Sequence, residues 1–144
     1  MNIGLDMDGV IMEYADIPKE QRCLEEYQKV PIIAAAVIGI FELHKHHDIY
    51  VISARQYPHA FAHMKSILRP FPIVEMVCGI PTSEKWRVLQ ALDIDVHVDD
   101  NVRALEKLPS NIMGILFTNP INQDSLWPNR VNSWSELIEM INVL

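Results

Sequence analysis

Positive charge is scarce in this chain, and so is anything that would staple or anchor it. Across 144 residues Lys plus Arg number 12 against 19 Asp plus Glu, a formal net charge of -7. Long nucleic acids are gripped by basic surfaces, so that class of partner is disfavoured. A small phosphorylated substrate remains open, provided a metal or a few placed cations offset its charge locally. Cysteine is limited to Cys23 and Cys78, with neither metal-type spacing nor a pairing pattern. That argues against a disulfide framework and fits reduced thiols. The longest apolar run, Ile32 to Phe41, is too short to span a bilayer. The N-terminus carries an acidic motif where a signal peptide needs a basic flank and an apolar run. The expectation is a cytoplasmic protein with no membrane partner. Repeats, low-complexity tracts and linkers are also missing, so the length suits one domain, 1–144. With 49% apolar and 22% charged residues, the composition is that of an ordinary folded globule.

What is present alternates between two periodicities. Asn2–Leu5, Asp48–Ile52, Ile73–Val77, Val96–Val98 and Ile112–Phe117 read as short buried strands. Helices are expected within Lys19–Lys29, with Pro18 at its opening, and over Pro58–Leu68 and Val102–Leu108. Ser83–Leu92 reads as a helix capped by Thr82 or Ser83. Ala34–His46 is apolar on most of its surface, which predicts a helix packed between other elements. A loop, Thr118–Val131, leads to a capping box at Ser133–Glu136, and Trp134, Leu137, Ile138 and Ile141 dock the last helix by one face. Strands alternating with helices imply an α/β fold, a Rossmann-like three-layer sandwich with a mostly parallel sheet covered on both faces.

The candidate site gathers at strand ends. Asp6-Met7-Asp8-Gly9 closes the first strand, and in extended chain residues two apart point the same way. Two carboxylates that close repel unless a cation or a proton relay uses them. Gly9 permits a sharp turn there. Ser53-Ala54-Arg55 ends the second strand, and Asp99-Asp100 ends a later one. Ligands of open α/β sheets bind beyond the C-terminal strand ends, so these are read as one site. Its acidic pairs suit a hard divalent cation such as Mg²⁺. Lys85, in the first turn of a helix, opposes the helix dipole: either it is a surface lysine that tolerates this, as is common, or an anion sits at the same helix end.

In this order, Asp6-x-Asp8-Gly9-Val10, Ser53, Lys85 and Asp99-Asp100 resemble the motifs of the haloacid dehalogenase (HAD) superfamily of phosphohydrolases. Leu116-Phe117-Thr118-Asn119-Pro120-Ile121-Asn122 and Arg130-Val131-Asn132-Ser133-Trp134 look like its 5′-nucleotidase branch, the type C deoxyribonucleotidases. The resemblance implies a HAD-like fold and a Mg²⁺-dependent phosphomonoesterase acting on nucleoside monophosphates or other small phosphate esters. It implies that Asp6 attacks phosphorus, that Asp8 serves as general acid and base, and that Ser53 and Lys85 hold the transferring phosphoryl. It further implies a metal bound by Asp6, the Asp8 main chain and Asp99, with Asp100 beside them. Ala54 and Arg55 complete the substrate-binding set, Arg55 either touching phosphate or supporting its loop. The chain departs from that branch between Val10 and Pro31, where residues 10–31 give only a short insert at the cap position. A minimal cap implies an open site, or one covered by another subunit of a homo-oligomer.

Other features receive plainer readings. His44, His46 and His47 crowd a helix end, where cationic groups are favourable. His59 and His63 lack a third ligand. Trp86 reads as core and Trp127 as a loop anchor. Two classes other than an enzyme share such residues: a receiver-like module, whose phosphorylated aspartate normally follows a later strand, and a catalytically silent phosphate- or Mg²⁺-binding partner domain.

Overall fold

The computed structural model describes residues 1–144. Its centre is a six-stranded sheet whose adjacent strands all run parallel: β1 (Asn2–Leu5), β2 (Asp48–Ile52), β3 (Ile73–Val77), β4 (Val96–Asp99), β5 (Met113–Phe117) and β6 (Arg130–Val131). The spatial order is β3-β2-β1-β4-β5-β6. The chain therefore starts in the middle, builds outward to β3, and returns to lay β4 on the other side of β1. The strand order reverses between β1 and β4, where Leu5 pairs with Val98. A crevice opens beyond the strand ends at such a reversal.

Period-two burial divides the sheet between two helical layers. Ile49 and Val51 join Ile3, Leu5, Val96, Val98 and Ile115 in the main core, against α2 (Ala34–His44), α3 (Ala60–Leu68) and α6 (Trp134–Asn142). Ile52 faces the other way, with Leu89 of α4 (Lys85–Ala91), Ile94 and Ile112. The two short remaining helices are α1 (Leu24–Gln28) and α5 (Val102–Leu105). This is the three-layer α/β sandwich that the alternation of periods implied.

Between β1 and α2 the chain makes a tight loop and then an excursion. Met7 O accepts from Ile11 N and Met12 N at 3.1 and 2.9 Å, closing the loop over Gly9. Met12 then forms an antiparallel bridge with Ile32, so the intervening insert leaves and returns through one narrow neck. Trp134 locks this corner: it is buried, its Nε1–H donates to Val10 O at 2.8 Å, and it packs on Gly39 so tightly that a Cβ there would collide with its ring.

Several boundaries differ from expectation. The helix expected from Ser83 begins as a 3-10 turn, Thr82–Glu84, and becomes α-helical at Lys85 without a side-chain cap. α3 starts at Ala60, because His59 takes a left-handed conformation (φ 67) that Pro58 leads into. In the capping box Ser133 accepts from Glu136 N, but Glu136 reaches back to Asn132 N rather than to Ser133. β6, two residues long, was hidden in the expected loop. α2 is not enclosed: Ile38 and Phe41 are 68% and 46% exposed. Trp86 is only half buried and lies beneath the Arg87 guanidinium, outside the core. Trp127 does anchor its loop, donating to Gly114 O at 2.9 Å.

Candidate active site

β1 and β4 deliver the carboxylates. Asp6 N–H donates to Val98 O at 2.9 Å, extending the ladder by one residue and fixing where the Asp6 side chain emerges. Asp99 is the last residue of β4 and fully buried. Asp6, Asp99 and Asp100 each place an oxygen within 4.8 Å of the others. The first residue of α4 inserts its ammonium among them. Lys85 Nζ lies 2.8 Å from Asp6 Oδ1 and 2.7 Å from Asp99 Oδ2, with the lysine side chain 2% exposed. The dipole argument on Lys85 thus finds its anions in the protein itself.

This centre is short of positive charge, with one ammonium facing three carboxylates. Burial, reinforced by Asp99, pushes Asp6 well above the usual carboxylate range despite Lys85. Burial and then Asp99 likewise push Asp100 up to about 7. Burial would raise Asp99 too, but Lys85 and then His97 outweigh it and hold this carboxyl below its usual range. Burial opposes the charge on Lys85, yet Asp6 and Asp99 more than compensate and raise its pKa. The excess negative charge is thus carried by Asp6 and Asp100, which favour a shared proton or a bound cation. Oxygen donors at this spacing with an unmet demand for positive charge fit a hard divalent ion.

The supporting groups were only partly visible in the sequence. His97 is wholly buried; its Nε2 lies 3.0 Å from Asp99 Oδ2 and its Nδ1 3.1 Å from Gly4 O. Position two before Asp99 on the same strand was its only signal. Asn119 Nδ2 donates to Asp100 Oδ2 at 2.7 Å, and Asn122 Nδ2 to Asp100 O at 2.8 Å. Both asparagines belong to the tail that had suggested a nucleotidase, and their contacts explain its use here. Gly9 has φ +82, and a Cβ there would collide with the Asp100 carboxylate.

Asp8 stands apart from the carboxylate cluster. Arg55 holds it by two bonds, Nε to Oδ2 at 2.9 Å and an Nη to Oδ1 at 2.6 Å. Arg55 thereby supports Asp8 in this structure. Ser53 is fully buried at the end of β2 and does not line the cavity. Its Oγ accepts from Arg55 N at 3.1 Å and donates to no group of the protein. Ala54 is half-buried and does line it.

The cavity beyond these strand ends has a volume of about 620 Å³. Asp6, Asp8, Lys85, Asp99 and Asp100 form its floor, and the insert contributes Tyr14, Asp16, Lys19, Arg22 and Tyr27 to its wall. The insert is therefore long enough to wall the site.

Comparison with known proteins gives a consistent picture. The family described as 5′ nucleotidase, deoxy (pyrimidine), cytosolic type C protein matches residues 22–144, beginning after the Asp6–Asp8 motif. A protein of Oceanobacillus iheyensis named as a candidate nucleotidase is 28% identical over 124 residues, covering 81% of this chain. The match spans 65% of that relative's length. Among solved structures, the cobalt-bound deoxy-D-mannose-octulosonate 8-phosphate phosphatase of Haemophilus influenzae superposes with a TM-score of 0.65 at 12% identity, covering 97% of this chain and 85% of that one. A HAD-superfamily hydrolase of Geobacter sulfurreducens gives 0.66 at 9% identity, covering 97% and 95%. At such identities these two likenesses speak to the fold, which is HAD-like.

Proposed function

The chain belongs to the cytosolic type C 5′-nucleotidase family, and from that premise we propose that it is a Mg²⁺-dependent phosphomonoesterase of nucleoside monophosphates and other small phosphate esters. The observation that carries this reading is the convergence of Asp6, Asp99 and Asp100 on Lys85 at the floor of a 620 Å³ cavity. We read residues 1–144 as one catalytic domain, with 10–31 as the insert at the cap position, working in the cytoplasm. No helix is long and apolar enough to cross a membrane.

The chemistry assigns each group a task. The Asp6 carboxylate attacks phosphorus, the ester P–O bond breaks, and an aspartyl-phosphate forms; one difficult displacement becomes two easier ones. Asp8 gives its proton to the departing alkoxide. It then takes a proton from the water that attacks the same phosphorus and frees Asp6. Lys85 orients Asp6 through their 2.8 Å contact and faces the negative charge of the arriving phosphoryl. The Ser53 hydroxyl, whose proton is unused within the protein, would reach a phosphoryl oxygen only if substrate binding opens its buried position to the cavity. Asp6, Asp99, Asp100 and the Asp8 carbonyl would hold Mg²⁺, which neutralises charge on the transferring group when bound.

We infer recognition that is stringent at the phosphoryl end and loose at the leaving group, which would meet partial walls from the insert, Gln56 and Tyr57, Asn101 to Arg103, and the loop carrying Ile121, Asn122 and Ser125. Several nucleoside monophosphates should then have kcat/KM values within about two orders of magnitude of one another, or about 2.7 kcal/mol of differential binding. The test is a panel of 5′- and 3′-monophosphates, sugar phosphates and an aryl phosphate, with Mg²⁺ and with a chelator, and Asp6→Asn protein as control. Hydrolysis undiminished by chelation would overturn the metal assignment. One substrate ahead of all others by about four orders of magnitude would overturn loose recognition.

A further inference from the structure

We propose that Arg55 is a positioning residue for Asp8, assembled by the insert, so that the insert acts on proton transfer to the leaving group through Tyr27 and Arg55. This rests on the phosphatase reading above and concerns a part of the site that reading leaves unexplained. The Arg55 side chain is 1% exposed, while that of Asp8 is 35% exposed. Its guanidinium makes a two-bond clasp on Asp8, with a further bond from Nη1 to Tyr57 Oη at 3.1 Å. Tyr57 Oη in turn lies 2.9 Å from His63 Nδ1. One face of the guanidinium is covered by Tyr27, whose ring centroid is 4.4 Å from Cζ. Tyr27 stacks on Tyr57 at 4.6 Å with an interplanar angle of 13°. Tyr27 is the buried residue of α1, within the insert; Tyr57 and His63 come from the α3 side.

The physical point is directional. A guanidinium is a rigid planar fork, and its two-bond match to a carboxylate fixes orientation as well as distance. Asp8 lies two residues beyond Asp6, the last residue that the β1 ladder holds, and precedes a glycine with positive φ, so the sheet alone does not orient its side chain. The clasp does. The fork is fixed by Tyr57 and by Tyr27 stacked upon it. Phosphate binding would compete for the same donors: three guanidinium contacts already go to Asp8 and Tyr57, and one face is closed.

The test uses the leaving group as the reporter. A value of kcat/KM reports steps up to Asp6 phosphorylation, and there Asp8 matters only when the departing oxygen needs a proton. An alkyl phosphate such as a nucleoside 5′-monophosphate needs one; p-nitrophenyl phosphate, which leaves as a stable phenolate, does not. Arg55→Met should lower kcat/KM for the alkyl ester by about 10²-fold and for the aryl ester by less than about threefold, reproducing the pattern of Asp8→Asn. The double variant Asp8→Asn/Arg55→Met should lose no more than Asp8→Asn alone. Tyr27→Leu should show the same selective loss at smaller size and Tyr27→Phe should restore it, since the ring and not its hydroxyl supports the fork. If Arg55→Met does not fold, the Tyr27 pair and Arg55→Lys, which keeps the charge but not the fork, carry the same test. Equal losses on both esters would overturn the proposal in favour of phosphoryl binding or general support, and unchanged rates on both would overturn it outright. A wild-type chain inert on both esters would remove the phosphatase reading, and this one with it.

Discussion

The active site holds two cation–carboxylate assemblies built on different terms. The inner one, Lys85 between Asp6 and Asp99 at the cavity floor, is buried, its lysine 2% and its Asp99 1% exposed. The outer one, Arg55 on Asp8, pairs a buried guanidinium with a carboxylate that is 35% exposed. The inner assembly is anchored by three regular elements, β1, β4 and α4. The outer one depends on a loop, a short helix of the insert and a stack of two tyrosines. Burial at the inner site leaves Lys85 with no water to replace a lost partner, so breaking it is costly; the same loss at the outer site is softened by solvent around Asp8. In the function proposed above, the inner assembly would serve the covalent step common to all substrates, and the outer one the step that varies with the leaving group.

The strongest way to break this comparison is at Asp6. Asp6→Asn should abolish turnover and leave no phosphorylated protein detectable by mass spectrometry after incubation with substrate. Persistent activity would move the nucleophile elsewhere. Next is Lys85→Met, which leaves the buried Asp6 and Asp99, with part-buried Asp100 beside them, without an ammonium. Removing one partner of a buried pair costs about 3–5 kcal/mol, so thermal unfolding should fall sharply in metal-free buffer and recover in part with Mg²⁺. An unchanged melting temperature would show that Lys85 is not holding the cluster.

Intermediate effects come from pH. Asp100 is raised to about 7 in the folded chain, and Asp6 is also raised, against an unfolded carboxylate near 4. Between these values the folded state binds more protons than the unfolded one, so the stability of metal-free protein should fall as pH rises from about 4 to about 7. Asp99 works in the opposite sense: its depressed folded pKa gives stability present above about 4 and lost as pH falls below it. Asp100→Asn should flatten part of the decline toward neutrality, as followed by unfolding midpoints across pH; a slope unaffected by the substitution would contradict the charge deficit. The smallest expected effect lies on the wall. Arg22→Gln or Lys19→Gln, both exposed, should change kcat/KM among nucleotides by no more than a few-fold, about 1 kcal/mol, while leaving the aryl phosphate alone. A larger change would mean that the insert reads the leaving group closely.

Legibility followed the same division. The strands Asn2–Leu5, Asp48–Ile52 and Ile73–Val77 were readable to the residue, because their apolar runs end at polar or turn-forming positions that also end the ladders. The inner assembly was readable as a set of strand-end acids and a first-turn lysine. His97 was not, since a histidine inside a strand reads like any other alternating residue until its neighbour on β1, Gly4, is known. Trp86 was misjudged because helix periodicity does not say how wide a groove the adjoining layer leaves. α2 was read as enclosed for the same reason, and its Ile38 and Phe41 lie outside the packed layer.

The sequence by itself determined the α/β alternation, the C-terminal strand ends as the place of chemistry, and the residue types gathered there. Those depend on local periodicity and on short motifs, which are carried in neighbouring residues. Only the tertiary structure decided that Arg55 clasps Asp8, that Tyr27 covers Arg55, and that Asn119 and Asn122 steady Asp100. Each of those contacts joins residues from separate elements, at distances set by how the insert and the β5–β6 loop fold back over the sheet. A pattern along the chain cannot specify such meetings, because they follow from packing between elements rather than from the period within one.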